Sequence, residues 1–372
     1  MREVYLIGTG SYLPGEPVAF EHIDSVLGSL DEAPARIRSW MKRTAGVLSE
    51  LLDTRVFHYA IDPDTRTFTD DNISMSVKAA RRALDSAGIS AGEIDLITYG
   101  SAHQHQMPTA TVRIQEQLGI KECEEFSIHA NCTSAYKALH LALELLKSGR
   151  NKTALVLSSS IASSELRAEY YNQQKLDKES LFLRWFLCDG AGAVILSTDA
   201  AFRSGFRLTH TFTESIGGNK PSLMYNYRPA YWMNPLEEFS SGAHHLRQKF
   251  RNELSTDVFI EPDGSVFIKG LKRMLAQAGV EANTITCFQI NMPARHITDS
   301  IMDECERIGI SRDRFYTRLD SLGYAGPPMV FIALDRLLKE RRFTGGDRVA
   351  SFVTEVSKFM QAGYILQYEP HH

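Results

Sequence analysis

The chain lacks any paired arrangement of cysteines. Its five, Cys123, Cys132, Cys188, Cys287 and Cys305, are scattered through 372 residues with no CxxC step and no metal-ligand spacing. That excludes a disulfide framework and a zinc module, and fits the reduced cytoplasm. No apolar run approaches the roughly 18 residues that a membrane helix needs. The opening "MREVYLIGTGSYLP" runs straight into a strand-like pattern, without the charged and apolar regions of a signal peptide. Basic residues are in no excess: 41 Lys and Arg stand against 45 Asp and Glu, a net charge of −4. The positive footprint of a nucleic-acid binder is therefore missing. Low-complexity linkers and short-period repeats are absent too. These absences leave a soluble cytoplasmic enzyme as the expectation.

What is present is an alternation of strand-like and helix-like segments. "EVYLIGTGSYLPG" reads as a strand ending in a Gly/Pro loop, and "DTRVFHYAI" as another strand. "DNISMSVKAARRALDSAG" has a polar cap, an alanine-rich body and Gly88 as its stop. "EIDLITYGSA" and "TALVLSSSIA" read as buried strands, and "LRWFLCDGAGAVILST" as a bent pair of strands with a glycine turn. The second half repeats the rhythm, with helix, "ITCFQIN", helix and "YTRL" echoing helix, "EIDLITYG", helix and the strand before Cys132. Such alternation predicts α/β architecture with covered sheets. The stretches 163–181 and 217–246 look irregular, as surface insertions or mobile lids would.

One segment carries chemistry. In "SIHANCTSAYKAL", Cys132 stands at the start of a helix whose apolar positions include Ala135, Ala138 and Leu139. A helix N-terminus favours a thiolate, and its free N–H groups can hold an oxyanion. The same residue would also serve as a small core thiol, the usual fate of a free cysteine. The other four cysteines show no such placement.

With its flanking segments, this stretch resembles the thiolase superfamily, most closely the ketoacyl-acyl-carrier-protein synthase III branch. The carrying residues are Cys132, "ALVLSSS", "DGAGAVIL" (Asp189 to Leu196), "GYAGPPMVFIALDRLL" and "GGDRVASFV", over about residues 70 to 368. The resemblance implies a five-layer αβαβα fold of two similar halves, placed at 1–200 and 201–372. It implies a dimer in which the strand "EFSIHAN" pairs across a two-fold axis, and an acyl-coenzyme A or acyl-carrier-protein thioester as substrate, with no permanently bound cofactor. Trp40 and Arg43 in "SWMKRT" resemble the family's adenine-binding pair, and His296 falls where a basic residue often faces the coenzyme tunnel.

The family's catalytic Cys, His and Asn are matched only in part. Its His position falls on Asn291 in "QINMPARHI", and its Asn position on Tyr324 in "LGYAGPP". The glycine-rich turn that closes the oxyanion hole becomes "TEVSKFMQAG", with Ser357, Lys358 and Phe359, where a positive φ would be costly. Asn291 can donate a hydrogen bond but cannot act as a base. The donors that stabilise an enolate are worth roughly 3–4 kcal/mol each, so their replacement tilts the chemistry away from decarboxylative condensation. Acyl transfer needs a nucleophile, a base and an oxyanion hole, but no enolate. His103 and His105 in "SAHQHQMP" are the substitute base candidates; no third ligand stands near them for a metal.

The expectation is an acyltransferase of specialised metabolism that works through Cys132. Its acceptor would be a hydroxyl, amine or carbon nucleophile. Two alternatives stay open: a non-catalytic subunit paired with an active relative, and a condensing enzyme with rearranged helpers. The partners expected are the acyl thioester and a second identical or related chain, with neither nucleic acid nor membrane.

Overall fold

The computed structural model describes residues 2–370, apart from 104–106, 203–204, 227–233, 252–253 and 255–256. Ten strands form one mixed sheet made of two equivalent sets. The first set is β1 (Tyr5–Tyr12), β2 (Leu96–Ser101), β3 (Glu124–His129), β4 (Thr153–Ile161) and β5 (Asp189–Ser197). The second is β6 (Gly205–Ser215), β7 (Cys287–Gln289), β8 (Phe315–Tyr316), β9 (Arg348–Glu355) and β10 (Met360–Glu369). The order is β3-β2-β4-β5-β1 in the first set and β8-β7-β9-β10-β6 in the second. Each strand thus has a counterpart five places later. The two sets meet where β1 pairs with β6 at only two positions, Tyr5 with Arg207 and Leu6 with Phe206.

Helices follow the same duplication. After α1 (Ala35–Leu51) come α2 (Asn72–Ala87), α3 (Ala110–Leu118) and α4 (Ser134–Ser148) in the first half. Their counterparts are α5 (Val266–Ala278), α6 (Arg295–Glu306) and α7 (Met329–Glu340). The central helices α4 and α7 each touch strands of both sets. Ala135, Ala138, Leu139, Ala142 and Leu146 of α4 and Val330, Phe331, Leu334 and Leu337 of α7 are buried in one cluster with apolar residues of both strand sets. Separate clusters bind α2 and α3 to the outer face of the first set, and α5 and α6 to that of the second. The layering is therefore αβαβα, as the resemblance implied. Small residues on α4 allow the central layer to sit close, and burial of each large aliphatic side chain contributes about 1.5–3 kcal/mol.

Three local expectations are corrected. "DTRVFHYAI" forms only the two-residue strand Val56–Phe57, because its sole ladder partner is Val18–Ala19. "LRWFLCDGAGAVILST" is one straight strand, β5, preceded by a turn of 3-10 helix at Leu183–Trp185. The stretch 163–181 is no surface insertion. Leu166, Tyr171, Leu176 and Leu181 share a buried cluster with Ile23, Leu27, Leu30, Ile37 and Leu48. Fully buried Arg184 clamps the two segments, donating to Asp24 at 2.9 Å and to the carbonyls of Leu166 and Gly28. In the stretch 217–246, Leu223, His244 and His245 are likewise buried. Apolar residues without regular periodicity were enough to pull 163–181 inward, whereas Leu236 and Phe239 of the second stretch stay exposed.

Among the described strands, β3 lies at one end of the order, beside β2. A strand at the end of a sheet, here one that carries Phe126, is where a second chain can pair, as the resemblance implies. We infer a dimer through β3, with a second copy or a related chain. Light scattering is expected to give about twice the 41.8 kDa of one chain; a monomer at micromolar concentration counts against it.

Candidate active site

Cys132 sits in the turn between β3 and α4, where the N–H of Ser134 bonds to the carbonyl of Asn131 at 2.9 Å. The first turn of α4 presses on β2 at Gly100, where any Cβ would lie 2.2 Å from the carbonyl oxygen of Ser134. Glycine in "TYGS" is thus what lets the thiol's helix start here. From the other half, β9 delivers Glu355, which is 1% exposed. Its Oε2 accepts from the Thr133 N–H at 2.9 Å and the Thr133 hydroxyl at 2.6 Å. Its Oε1 accepts from the Ser357 hydroxyl. Tyr324 arrives from the loop ahead of α7, and its hydroxyl lies 3.5 Å from Cys132 Sγ. That loop turns at Gly323, φ 73°, where a Cβ would meet Cys188 Sγ at 2.9 Å. The Tyr324 carbonyl accepts the N–H of Cys188 at 3.0 Å, which holds the turn.

The helix start does not lower the thiol pKa, contrary to the simple dipole expectation. Cys132 keeps some exposure, yet protein crowds its sulfur. Burial, and then the charge of Glu355, push its pKa up to about 12. The bond from Tyr324 and the local backbone oppose this only in part. The positive end of α4 is already taken by the Glu355 carboxylate, which leaves the sulfur a net negative field. Burial likewise raises Tyr324 well above the usual phenol value, with Cys132, Tyr136 and Glu355 adding to it. At neutral pH both groups hold their protons. Iodoacetamide labelling of Cys132 is therefore expected to be slow at pH 7 and to climb about tenfold per pH unit beyond pH 9. A plateau near the ordinary thiol value would show that the thiol is not so shielded.

Asn291 lies two residues beyond β7, half-buried, and its Oδ1 is buried without a partner. β7 runs parallel to β9, with Gln289 opposite Ser351, so Asn291 and Glu355 both lie at C-terminal ends of neighbouring strands. A buried chain braces that end. Tyr136 and Ser351 hydroxyls are 2.7 Å apart, Ser351 donates to the Gln289 carbonyl at 3.0 Å, and Tyr364 donates to Gln289 Oε1 at 2.7 Å. Tyr136 belongs to α4, so the brace ties the thiol's helix to the second strand set.

The other candidates fall elsewhere. His103 Nε2 lies 3.8 Å from Glu165 Oε2, and its Nδ1 is buried without a partner. Burial would lower its pKa, but hydrogen bonding to Glu165 and the charges of Glu165 and Asp189 raise it. Among the described residues the thiol's side-chain partner is Tyr324, and His103 faces the Glu165 side instead. His105 lies outside the described residues. Trp40 on α1 packs against the rings of Trp185 and Phe250, at 5.6 and 6.5 Å between centroids, and Arg43 on the same helix is exposed. His296 is exposed in the first turn of α6. The end of α1 meets the start of α6 through a Leu52–Ala294 bridge and an Arg295–Asp53 ion pair of 2.9 Å. Trp40, Arg43 and His296 thus stand on two joined helices. No cluster of three His, Cys, Asp or Glu side chains among the described residues is arranged to hold a metal.

Sequence reasoning missed Glu355 and its grip on Thr133. The one signal was an acidic residue at the end of the mostly buried strand "RVASFVTE", and it named no partner. The turn that follows does take the costly conformation. Phe359 has φ 55°, and its ring is fully buried against Leu223 and Val266. A left-handed non-glycine residue costs of order 1–3 kcal/mol, and burial of the phenyl ring is what offsets it here.

Comparison with known proteins places these elements in context. The family model for 3-oxoacyl-[acyl-carrier-protein] synthase III matches residues 126–215, and its C-terminal companion matches 275–356. Cys132 lies in the first span; Asn291, Tyr324 and Glu355 lie in the second. The chain is similar to a beta-ketoacyl-[acyl-carrier-protein] synthase III of Clostridium perfringens, 26% identical over 351 residues, or 94% of either chain. In fold it is similar to AbyA1, a tetronic acid condensing enzyme, at 22% identity and TM-score 0.77, over 98% of this chain and 99% of that one. It also superposes on the 3-oxoacyl-[acyl-carrier-protein] synthase III of Aquifex aeolicus, at 20% identity and TM-score 0.73, over 98% and 100% of the two chains.

Proposed function

We propose, for a chain that belongs to the ketoacyl-acyl-carrier-protein synthase III-like branch of the thiolase superfamily, that Cys132 carries an acyl group from a thioester donor to an acceptor. Members of this branch are enzymes of the acyl-transferring or condensing kind. The donor is an acyl-coenzyme A or acyl-carrier-protein thioester. The acceptor is a hydroxyl, an amine or a carbon nucleophile. One observation carries the choice of transfer over condensation. A tyrosine hydroxyl stands 3.5 Å from the thiol, in the place where the resemblance puts an amide donor. Asn291 replaces the imidazole. A phenol and an amide can donate hydrogen bonds to a tetrahedral oxyanion, and the imidazole that the resemblance assigns to decarboxylation is missing.

In this reading Trp40, Arg43 and His296 meet the coenzyme or pantetheine arm, while His103, turned to Glu165, is not the acceptor's base. The test is intact mass spectrometry after incubation with a panel of acyl thioesters. A stable gain of the acyl mass supports the reading, and no adduct with any donor sinks it. The alternative of a non-catalytic subunit draws support from the protonated, Tyr324-bonded thiol. It predicts no adduct until a related active chain is added, and then on that chain.

A further inference from the structure

We propose that Glu355 is the base that takes the Cys132 thiol proton when the acyl group is loaded and returns it when the group leaves. The inference rests on the acyl-transfer reading above and adds to it the missing proton acceptor. The geometry is specific. Glu355 comes from the half opposite the thiol, is almost wholly buried, and is bonded to Thr133, the residue next to Cys132. Two donors from Thr133 occupy Oε2, whereas among the described residues Oε1 has Ser357 alone. A carboxylate oxygen has two lone-pair sites, so Oε1 keeps one for a proton.

The surroundings leave few rivals. Among the described residues, the titratable groups coupled to Glu355 are Cys132 at the start of α4 and Tyr324 ahead of α7; Tyr136, one turn along α4, bonds to Ser351. All three are acids that hold their protons, and none can serve as a base at neutral pH. Lys358, in the turn after β9, sends its Nζ to the Lys220 carbonyl. His103 is turned to Glu165. A thiol this reluctant to ionise needs its proton removed as the sulfur attacks, and a nearby carboxylate is suited to that.

Loading balances as follows. Cys132 sulfur attacks the donor's carbonyl carbon, and the Sγ–C bond forms. The thiol proton passes to Glu355. The donor C–S bond breaks, and Glu355 gives the proton to the departing sulfur, which leaves as a free thiol. Transfer runs the same steps with the acceptor: its O–H or N–H proton goes to Glu355 and then to Cys132 Sγ as that C–S bond breaks.

The test uses the full chain and Glu355→Gln, which keeps an acceptor for Thr133 but cannot take a proton. Two rates are read: loading from acetyl-coenzyme A at pH 7, and iodoacetamide alkylation across pH. A base role predicts that loading falls by roughly 10²-fold or more. The alkylation curve moves to lower pH in the same variant, because a negative charge beside the sulfur is gone. Opposite movements of the two rates support the proposal. If Glu355 acts only as a charge, both rates rise at pH 7. If it acts only as a helix cap, both fall together or neither changes. Any of those outcomes overturns it. Should Glu355→Gln not fold, Glu355→Asp, which keeps the charge but draws it back, is expected to load more slowly with its alkylation curve in place; wild-type loading in that variant overturns the proposal. Failure of wild-type protein to load from any thioester takes down the transfer reading itself. Normal loading in both variants removes only Glu355.

Discussion

Replacing Cys132 by alanine is expected to abolish covalent acyl capture, so that a donor thioester which adds its acyl mass to the wild-type chain adds none to the variant. Cys132→Ser should behave the same, since a serine hydroxyl there has no base strong enough to ionise it. The other thiols are poor substitutes. Cys188 and Cys305 are buried, and burial pushes each up to about 12; Cys287 is buried as well and is pushed up to about 11. Cys123 is half-buried and is raised to about 11 by burial and then by Glu125 and Asp95. Cys188 stands closest to the site in the fold, but its sulfur is sealed against Gly323 and it has no exposed surface. Cys132 combines partial exposure with a donor on its sulfur. An adduct that survives Cys132→Ala, or that peptide mapping places on another residue, would overturn the assignment. The change removes only the sulfur atom from a half-buried position, so the variant should fold.

The second large effect concerns malonyl thioesters. Wild-type protein is expected to release carbon dioxide from a malonyl donor some 10²–10³-fold more slowly than it transfers a simple acyl group, the usual loss when one enolate or oxyanion donor is missing. Asn291 offers an amide, and Tyr324 offers a phenol already engaged with Cys132. Neither is the imidazole that the resemblance assigns to decarboxylation. The pair Asn291→His and Tyr324→Asn asks the question in reverse. Tyr324→Asn withdraws the ring from Sγ, and the Gly323 turn that aims this position is untouched. The double variant is expected to decarboxylate faster by about 10²-fold, measured as carbon dioxide release on the same preparation as acyl transfer. Wild-type decarboxylation and condensation at the speed of its transfer reaction would refute the preference for transfer. No gain in the double variant would show that Asn291 and Tyr324 do not occupy the positions assigned to them.

Strand and helix order, the duplication and the nucleophile candidate were all legible in the sequence alone, because each rests on local chemistry. Short, nearly continuous apolar runs mark β2 and β4; 3.6-residue spacing marks α2 and α4; Gly88 ends α2 in the left-handed conformation, φ 68°. Cys132 showed itself by standing just ahead of such a helix. Which polar residue caps α2 needed the structure, where Asp71 and Ser74 exchange bonds. The fate of the irregular stretch 163–181 needed it too, since its apolar residues have no period and reveal their burial only against residues 20–61. The site's electrostatics needed it most. Thr133 and Glu355 are 222 residues apart, and no local pattern announces that the carboxylate of one half will occupy the helix start of the other. Local pattern indicated a helix dipole acting on a thiol. Tertiary structure buried the sulfur and put a negative charge at the same pole, and both oppose what the dipole favours.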